Sequence, residues 1–250
     1  MPTNYRKLLY KEYFSNQSDA FNEKLCLVED LKHRSYYIND YLKSFLPDDK
    51  KSLILDIGCG YGAILSSLKS LGYSNFLGVD SSKEAIDLLQ STDLSEHIVE
   101  SDIICFLEKS VKEESKWDTI LLIDILEHFT KDELVNILGF LILILNPAGR
   151  LIIKVPNVQS PLGATTVFGD FTHETYFTPT SLSQLLNACG FRKVESFEAA
   201  PVPYTLASSI RSILWKMIRL MYTFSYAVET GSFSNSMIWT RSFFAIARRD

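Results

Sequence analysis

The sequence is short of the features that mark zinc-binding, disulfide-rich and nucleic-acid-binding proteins. Its four cysteines are scattered and form no Cys-x-x-Cys pair. This spacing predicts neither a zinc site nor a disulfide framework, and it suits a reducing cytoplasm. The formal net charge is −5, whereas nucleic-acid binding requires a basic field. We therefore expect a cytoplasmic protein that has no nucleic-acid partner.

Long hydrophobic runs are also missing. The N-terminal stretch MPTNYRKLLYKEYF lacks the apolar core of a signal peptide. The longest strongly apolar run, ILGFLILIL at 137–145, is half the length needed to cross a bilayer, so we expect a buried helix there. With 250 residues, of which 46% are hydrophobic and 22% charged, the chain resembles an ordinary globular protein with a sizeable core.

Short apolar runs alternate with helical patterns from about residue 53 onward. The runs typical of buried parallel strands are 52–57, 75–80, 97–102, 117–124 and 149–156. The helical patterns are 63–71, 81–90, 102–110, 131–145 and 178–191. Two further strands are predicted at 191–200 and 240–249. This order predicts a doubly wound α/β sheet with helices on both faces. Residues 1–50 form a predicted N-terminal helical cap on a domain at 51–250, with an insertion at about 201–239.

The most informative motif is the first strand-to-helix turn, LDIGCGYG at 55–62. Its glycines allow a sharp turn and a close approach to a ligand at a helix N-terminus. Asp80 ends the second strand and can accept from two ribose hydroxyls. Asp102 ends the third strand and can accept from an exocyclic amine. The pattern GxGxG differs from the GxGxxG of dinucleotide sites, which disfavours an NAD-dependent oxidoreductase.

With these motifs in order, the chain resembles the class I S-adenosylmethionine-dependent methyltransferases. The resemblance covers about residues 30–200 and the final strand. It rests on LDIGCGYG, on VD at 79–80, on SD at 101–102, on WDTILLIDILEHF at 117–129 and on LNPAGRLIIKVPN at 145–157. It implies a seven-stranded sheet whose last strand (240–247) is antiparallel between its neighbours. It also implies S-adenosyl-L-methionine as the cofactor, with S-adenosyl-L-homocysteine as its product.

The resemblance also implies a role for individual residues. Gly58 and Gly60 would face the methionine portion of the cofactor, and Asp80 the ribose. Asp102 and Ile103 would contact the adenine, and Ile123 and Asp124 would lie beside the sulfonium. Arg34 would bind the cofactor carboxylate. The other cofactor-site residues that we carry over are Asp56, Cys59, Tyr61 and Ser81.

A second motif, GDFTHETYFT at 169–178, follows the fifth strand and concentrates proton-handling side chains. Its pattern resembles small-molecule O-methyltransferases, including enzymes of bacterial surface-polysaccharide pathways. We therefore expect a sugar or surface-glycan precursor as the acceptor, with a quinone or another small molecule as the alternative. His173 is the first candidate for an acceptor contact and general base, and the alternative is that it only orders the loop. His128 and Tyr176 are further catalytic candidates, although His128 could instead be a capping or packing residue.

No carboxylate cluster demands a metal, so the sequence predicts no metal site, although Asp124 and Glu127 could hold Mg²⁺ with help from an acceptor. A non-catalytic cofactor-binding partner protein is a third class of function, disfavoured because the cofactor motifs are complete. Residues 208–229 predict a basic amphipathic helix in the insertion. The helix would act as a lid, or its apolar arc would pack on the sheet, on a second chain or, as a peripheral contact, on the inner face of a membrane.

Overall fold

The computed structural model describes residues 5–10, 41–233 and 236–249. Arg34 and most of the predicted N-terminal cap lie outside these residues. The strands are β1 Ile54–Ile57, β2 Phe76–Asp80, β3 Ile98–Glu100, β4 Trp117–Ile123, β5 Leu145–Pro156, β6 Arg192–Glu198 and β7 Ser242–Arg248. The helices are α1 Tyr5–Tyr10, α2 Ala63–Ser70, α3 Lys83–Gln90, α4 Ile103–Lys112, α5 Lys131–Ile144, α6 Ala164–Val167, α7 Pro179–Ala188 and α8 Leu206–Thr230. Two 3₁₀ turns cover Ser95–His97 and Leu126–His128.

All seven strands join one sheet in the order β3-β2-β1-β4-β5-β7-β6. The first five strands pair in parallel, whereas β7 is antiparallel to both β5 and β6. The strand order reverses between β1 and β4, which makes the carboxyl ends of these strands the place where such sheets bind ligands. The predicted doubly wound sheet and its antiparallel last strand are confirmed.

Both faces of the sheet are buried, because helices cover each of them. One core cluster joins α4, α5 and α7 to the sheet through residues such as Leu107, Leu138 and Leu182. The other joins α2 and α3 to the opposite face through Leu65 and Leu89. This two-sided burial explains why the central strands are near-continuous apolar runs. The apolar run at 137–145 lies almost wholly within α5, which is the buried helix expected there.

The insertion helix α8 does not pack as the amphipathic pattern predicts. Its predicted apolar arc is exposed, with between 50% and 65% of each residue accessible at Ile210, Ile213, Leu214, Met217, Met221 and Phe224. The helix is attached instead through its other side. Trp239 Nε1 donates to Thr223 Oγ1 at 3.0 Å, Arg219 Nε donates to Glu198 Oε1 at 3.1 Å, and the rings of Tyr222 and Tyr226 lie about 6 Å from that of Trp239. The expected packing of the apolar arc on the sheet is therefore wrong. Contact of this arc with a second chain or a membrane surface stays a prediction. No helix among the described residues has the length and hydropathy to span a bilayer.

We expect Thr223→Val to destabilise the protein, because the buried Trp239 indole N–H would lose its acceptor while the side-chain shape is retained. Leaving a buried donor unsatisfied costs about 1–3 kcal/mol. Urea unfolding followed by tryptophan fluorescence measures this loss. Ser225→Ala is the control, since the exposed Ser225 hydroxyl donates to Met221 O within the same helix rather than to another element. Equal unfolding midpoints for the two variants would contradict the assigned role of Thr223.

Candidate functional site

The glycine turn after β1 has the tight geometry that its sequence predicts. Gly58 has a φ of +76°, and a Cβ atom on it would lie 2.8 Å from Ile125 Cδ1. The amides of Gly58 and Cys59 donate to Val79 O at 2.8 and 3.1 Å. Any residue other than glycine at position 58 would therefore meet both backbone strain and a clash with the segment that follows β4.

Asp80, at the end of β2, contacts the glycine turn, and both of its carboxylate oxygens accept hydrogen bonds. Its Oδ2 accepts from Gly60 N at 2.8 Å, and its Oδ1 accepts from Ser82 N at 2.8 Å. Burial raises the pKa of this carboxyl group, and the backbone amides oppose that rise. Sequence reasoning foresaw a carboxylate for an external ligand. The structure shows that the same carboxylate also joins the glycine turn to the start of α3, and each oxygen retains a lone pair for a ligand.

Asp56, in the middle of β1, is the most unusual charge near the turn. It is 1% exposed, and among the described residues neither carboxylate oxygen has a hydrogen-bond partner. Burial, and then the neighbouring Asp80, raise the pKa of Asp56 to about 8. Burial also raises the pKa of the adjacent Cys59 thiol, so this thiol stays protonated. An unpartnered buried carboxyl group is costly, which indicates a ligand donor or cation at this point.

The other predicted contacts on this side of the turn, Asp102, Ile103, Tyr61 and Ser81, differ in character. Asp102 caps α4, because its Oδ1 accepts from Ile104 N at 2.9 Å and from Cys105 N at 3.1 Å. Only Oδ2 is left for an exocyclic amine, beside the buried Ile103. Tyr61 is partly buried next to Glu84, and burial followed by that carboxylate raises the pKa of Tyr61 to about 12. Ser81 is exposed, and Ser82 is the residue that caps α3.

At the end of β4 the chain takes a strained turn. Asp124 has a φ of +54°, a region that aspartate tolerates better than most residues. Its amide donates to Lys154 O at 2.9 Å, and its carboxylate forms an ion pair with Lys154 Nζ. Ile123, just before it, is half-buried. Sequence reasoning missed Lys154, although a lysine within the apolar strand run LIIKVP is itself a signal of a buried or paired charge.

The loop at 169–178 is fastened directly to the segment after β4. The amides of Glu174 and Thr175 both donate to Glu127 O, at 2.8 and 3.1 Å. Thr175 Oγ1 donates to Phe129 O at 2.7 Å. The two loops therefore form one unit at the carboxyl edge of the sheet.

This unit brings His128 and His173 together, with ring centroids 4.9 Å apart. His128 Nδ1 lies 2.9 Å from Thr172 Oγ1, and Thr172 Oγ1 donates to Asp170 Oδ1 at 2.6 Å. Burial, and then the adjacent His173, lower the pKa of His128 to about 4. His128 is therefore neutral near pH 7. Sequence reasoning named both histidines, but it missed Thr172, which links one of them to Asp170.

A cavity of about 590 Å³ opens beside this pair. Its lining combines polar and aromatic side chains: Tyr5, Phe168, Asp170, Phe171, His173, Glu174 and Tyr176. Tyr176 is at the rim, 47% exposed, with its ring centroid 5.1 Å from that of Phe168. This places Tyr176 on the wall of the cavity, and His128 behind His173.

The N-terminal helix α1 lies over both loops, a contact that sequence reasoning missed. Arg6 donates to Glu133 at 2.6 and 2.9 Å, to Glu174 Oε1 at 3.3 Å and to His128 O at 3.4 Å. The hydrogen bond from Arg6, opposed by partial burial, lowers the pKa of Glu133 to about 2. Arg6 thus holds α1 against the cavity.

We expect Asp56→Asn to change how stability depends on pH. The folded-state pKa of Asp56, about 8, lies above its unfolded value, so the native state retains a proton that the unfolded state releases. The stability present below the unfolded pKa is therefore lost as the pH rises towards 8. The advantage of the variant should grow by about 1 kcal/mol per pH unit between pH 5 and 8 and then level off.

Urea unfolding at several pH values measures that difference. The exposed Asp132→Asn is the matched control for the removal of one carboxylate from the chain. A flat difference for Asp56→Asn would show that Asp56 is ionised in the native protein.

Comparisons with known proteins agree with this geometry. A family profile described as a methyltransferase domain matches residues 31–196. O-methyltransferase 3 of Dictyostelium discoideum is 24% identical over 188 residues, which are 68% of this chain and 43% of that protein. The human mitochondrial ubiquinone biosynthesis O-methyltransferase is 28% identical over 175 residues, or 62% of this chain and 47% of that protein. The chain thus spans less than half the length of these curated relatives.

A solved structure shows the same fold. The crystal structure of a SAM-dependent methyltransferase from Archaeoglobus fulgidus superimposes with a TM-score of 0.64 and 19% identity, covering 91% of this chain and all of that one. At this identity the likeness concerns the fold, whereas the family profile spans well over half of the chain. The glycine turn, the sheet order and the matched profile together show that this chain belongs to the methyltransferase-domain family.

Proposed function

We propose that the chain transfers a methyl group from S-adenosyl-L-methionine to an oxygen of a small acceptor bound beside His173. One observation carries this proposal: the glycine turn and the histidine pair are adjacent at one edge of the sheet. Gly58 packs against Ile125, and three residues later the same segment supplies His128. A cofactor in the glycine turn and an acceptor in the cavity would therefore meet at the segment after β4.

The residues of the turn fit this cofactor. The unpartnered carboxyl group of Asp56 matches an ammonium group such as that of the methionine portion. Asp80 retains two lone pairs for the ribose hydroxyls, and Asp102 Oδ2 is left for the adenine amine. When bound, the cofactor supplies a methyl group that is activated by a positively charged sulfur.

The protein has a modest chemical task in such a transfer. With the cofactor held by Asp56, Asp80 and Asp102, the acceptor oxygen would bond to the methyl carbon as the carbon–sulfur bond breaks and leaves its electron pair on the sulfur. The acceptor hydroxyl must also lose a proton. The chain aligns the two reactants and excludes water, and the imidazoles of His128 and His173 lie where that proton must be handled. His173 lines the cavity, so it is the one that touches the acceptor.

The acceptor that we favour is a ring bearing a hydroxyl group. Phe168, Phe171 and Tyr176 supply aromatic surface around the cavity, and Asp170 and Glu174 supply polar contacts. This lining suits the quinone-type alternative better than a sugar, and a curated relative is named for ubiquinone biosynthesis. The sugar acceptor expected from the loop motif stays a prediction, which we test in the same acceptor panel.

We expect Asp80→Asn to weaken binding of S-adenosylhomocysteine by roughly 10- to 100-fold, because hydrogen bonds to a charged acceptor are worth about 1.5–3 kcal/mol. Titration calorimetry measures the affinity, and Asp87→Asn on the exposed side of α3 is the matched control. Binding of NADH in place of S-adenosylhomocysteine would instead favour the oxidoreductase alternative. Binding without methyl transfer to any acceptor would favour a non-catalytic partner protein.

We expect His173→Gln to reduce the rate of methyl transfer by roughly 10²- to 10⁴-fold, the usual contribution of proton handling by a positioned side chain. The affinity for S-adenosylhomocysteine should stay within twofold of the wild type, because His173 is not in the glycine turn. Product formation with phenolic and sugar acceptors measures the rate. His97→Gln, at the opposite end of the sheet, is the control. A wild-type rate for His173→Gln across pH 6–9 would remove His173 from the mechanism.

A further inference from the structure

We propose that Glu127, His128 and His173 form a binding site for one divalent transition-metal cation, such as Zn²⁺ or Mn²⁺, at the inner end of the acceptor cavity. One ligand atom from each of the three side chains lies within 4.8 Å of the other two. The sequence predicted no metal site, because no carboxylate cluster demands one, although Asp124 and Glu127 were noted as possible Mg²⁺ ligands. The fold brings Glu127, His128 and His173 together through the backbone hydrogen bonds that join the two loops.

The hydrogen bonds of His128 fix which of its ring nitrogens can act as a ligand. Thr172 Oγ1 donates its single proton to Asp170 Oδ1, so it must accept from His128 Nδ1–H. The lone pair of the His128 ring is therefore on Nε2. A carboxylate behind a histidine in this way sets its tautomer and orientation, an arrangement that recurs behind metal-binding histidines.

His173 has the same tautomer for a different reason. Its Nδ1 lies 2.8 Å from Val167 O, and a carbonyl oxygen can only accept. The proton is therefore on Nδ1 and the lone pair on Nε2. The two imidazoles, each held through its Nδ1 atom, thus direct their Nε2 atoms away from these anchors.

Glu127 supplies the independent observation. It is 2% exposed, and its Oε2 atom has no hydrogen-bond partner among the described residues. Its backbone carbonyl is committed to Glu174 N and Thr175 N, which holds the residue in place irrespective of its side chain. A buried carboxylate oxygen without a donor is costly, and a cation shared with two imidazoles would compensate it.

The surrounding charge also favours a cation. The carboxylates of Asp124 and Asp170 place negative charge near Glu127. The ammonium group of Lys154, which is already paired with Asp124, places positive charge there. Two nitrogen ligands and one carboxylate suit Zn²⁺ and its first-row neighbours better than Mg²⁺ or Ca²⁺, which prefer oxygen. Tetrahedral ligands at zinc–nitrogen distances are roughly 3.4 Å apart, so binding would draw these side chains together by about 1 Å.

The site has a direct consequence for the proposed methyl transfer, on which this part of the inference rests. His173 lines the cavity, so a cation held there would present an open coordination position to an acceptor hydroxyl. A divalent cation lowers the pKa of a bound hydroxyl, whose proton can then leave to water before the oxygen attacks the methyl group. The two histidines would then act as ligands rather than as a proton-accepting base.

The test is a metal titration of the chelator-treated full-length protein, without cofactor or acceptor. We expect calorimetry to show one equivalent of Zn²⁺ bound, more tightly than Mg²⁺. Co²⁺ as a spectroscopic probe should give the visible absorption of a site with nitrogen ligands. His173→Gln, His128→Gln and Glu127→Gln should each weaken Zn²⁺ binding by at least tenfold. His97→Gln is the matched control, because its Nδ1 also lies 3.0 Å from a backbone carbonyl oxygen, that of Phe76, but it is outside the cluster.

Two results would overturn the site: no stoichiometric Zn²⁺ or Co²⁺ binding by the wild-type protein, or equal affinities in His173→Gln and His97→Gln. His173 is only partly buried, so its variant remains informative if the buried Glu127→Gln fails to fold. S-adenosylhomocysteine titrations on the same samples keep the two proposals apart. Loss of cofactor binding would contradict the proposed function, whereas the metal titration needs no cofactor.

Discussion

The backbone carbonyl of Glu127 accepts hydrogen bonds from two successive amides, Glu174 N and Thr175 N. This contact fastens the long connection after β5 to the short turn after β4. Together with the hydrogen bonds from Thr175 Oγ1 to Phe129 O and between Thr172 and His128, this contact fixes the position of the histidine pair and of the cavity wall.

The cofactor side depends on buried carboxylates instead. Asp80 holds the glycine turn to the start of α3, and Asp56 has no hydrogen-bond partner within the described part of the chain. Both carboxyl groups have raised pKa values because burial disfavours their charge. The sheet tolerates this cost at its ligand-binding edge, since the groups that a ligand must recognise have to be present before it arrives. These buried carboxyl groups thus lower the free energy of unfolding, at the place where a ligand must bind.

Much of the fold and about half of the site could be predicted from local sequence. The apolar runs, the helical patterns and the turn at 55–62 are contiguous, so periodicity and spacing were sufficient to predict them. The link from Thr172 to His128 and the contact of Arg6 with Glu133 join residues 44 and 127 positions apart. No local pattern reports such pairs. The apolar arc of α8 shows another limit of local sequence. A helical period reveals that the helix has two faces, but the hydrogen bonds of Arg219 to Glu198 and of Trp239 to Thr223 determine which face points inward.

Arg6 contacts residues from both loops at the cavity, yet it belongs to a helix of six residues that lies outside the sheet. The acceptor cavity is therefore bounded by two pieces, the loop at 168–176 and the N-terminal helix, neither of which contributes to the glycine turn. Substitutions in these pieces can reshape the cavity while β1, β2 and their carboxylates stay unchanged. Under the proposed function, such a division would let one cofactor-binding frame serve different acceptors, and it gives protein engineers two short segments in which to alter selectivity.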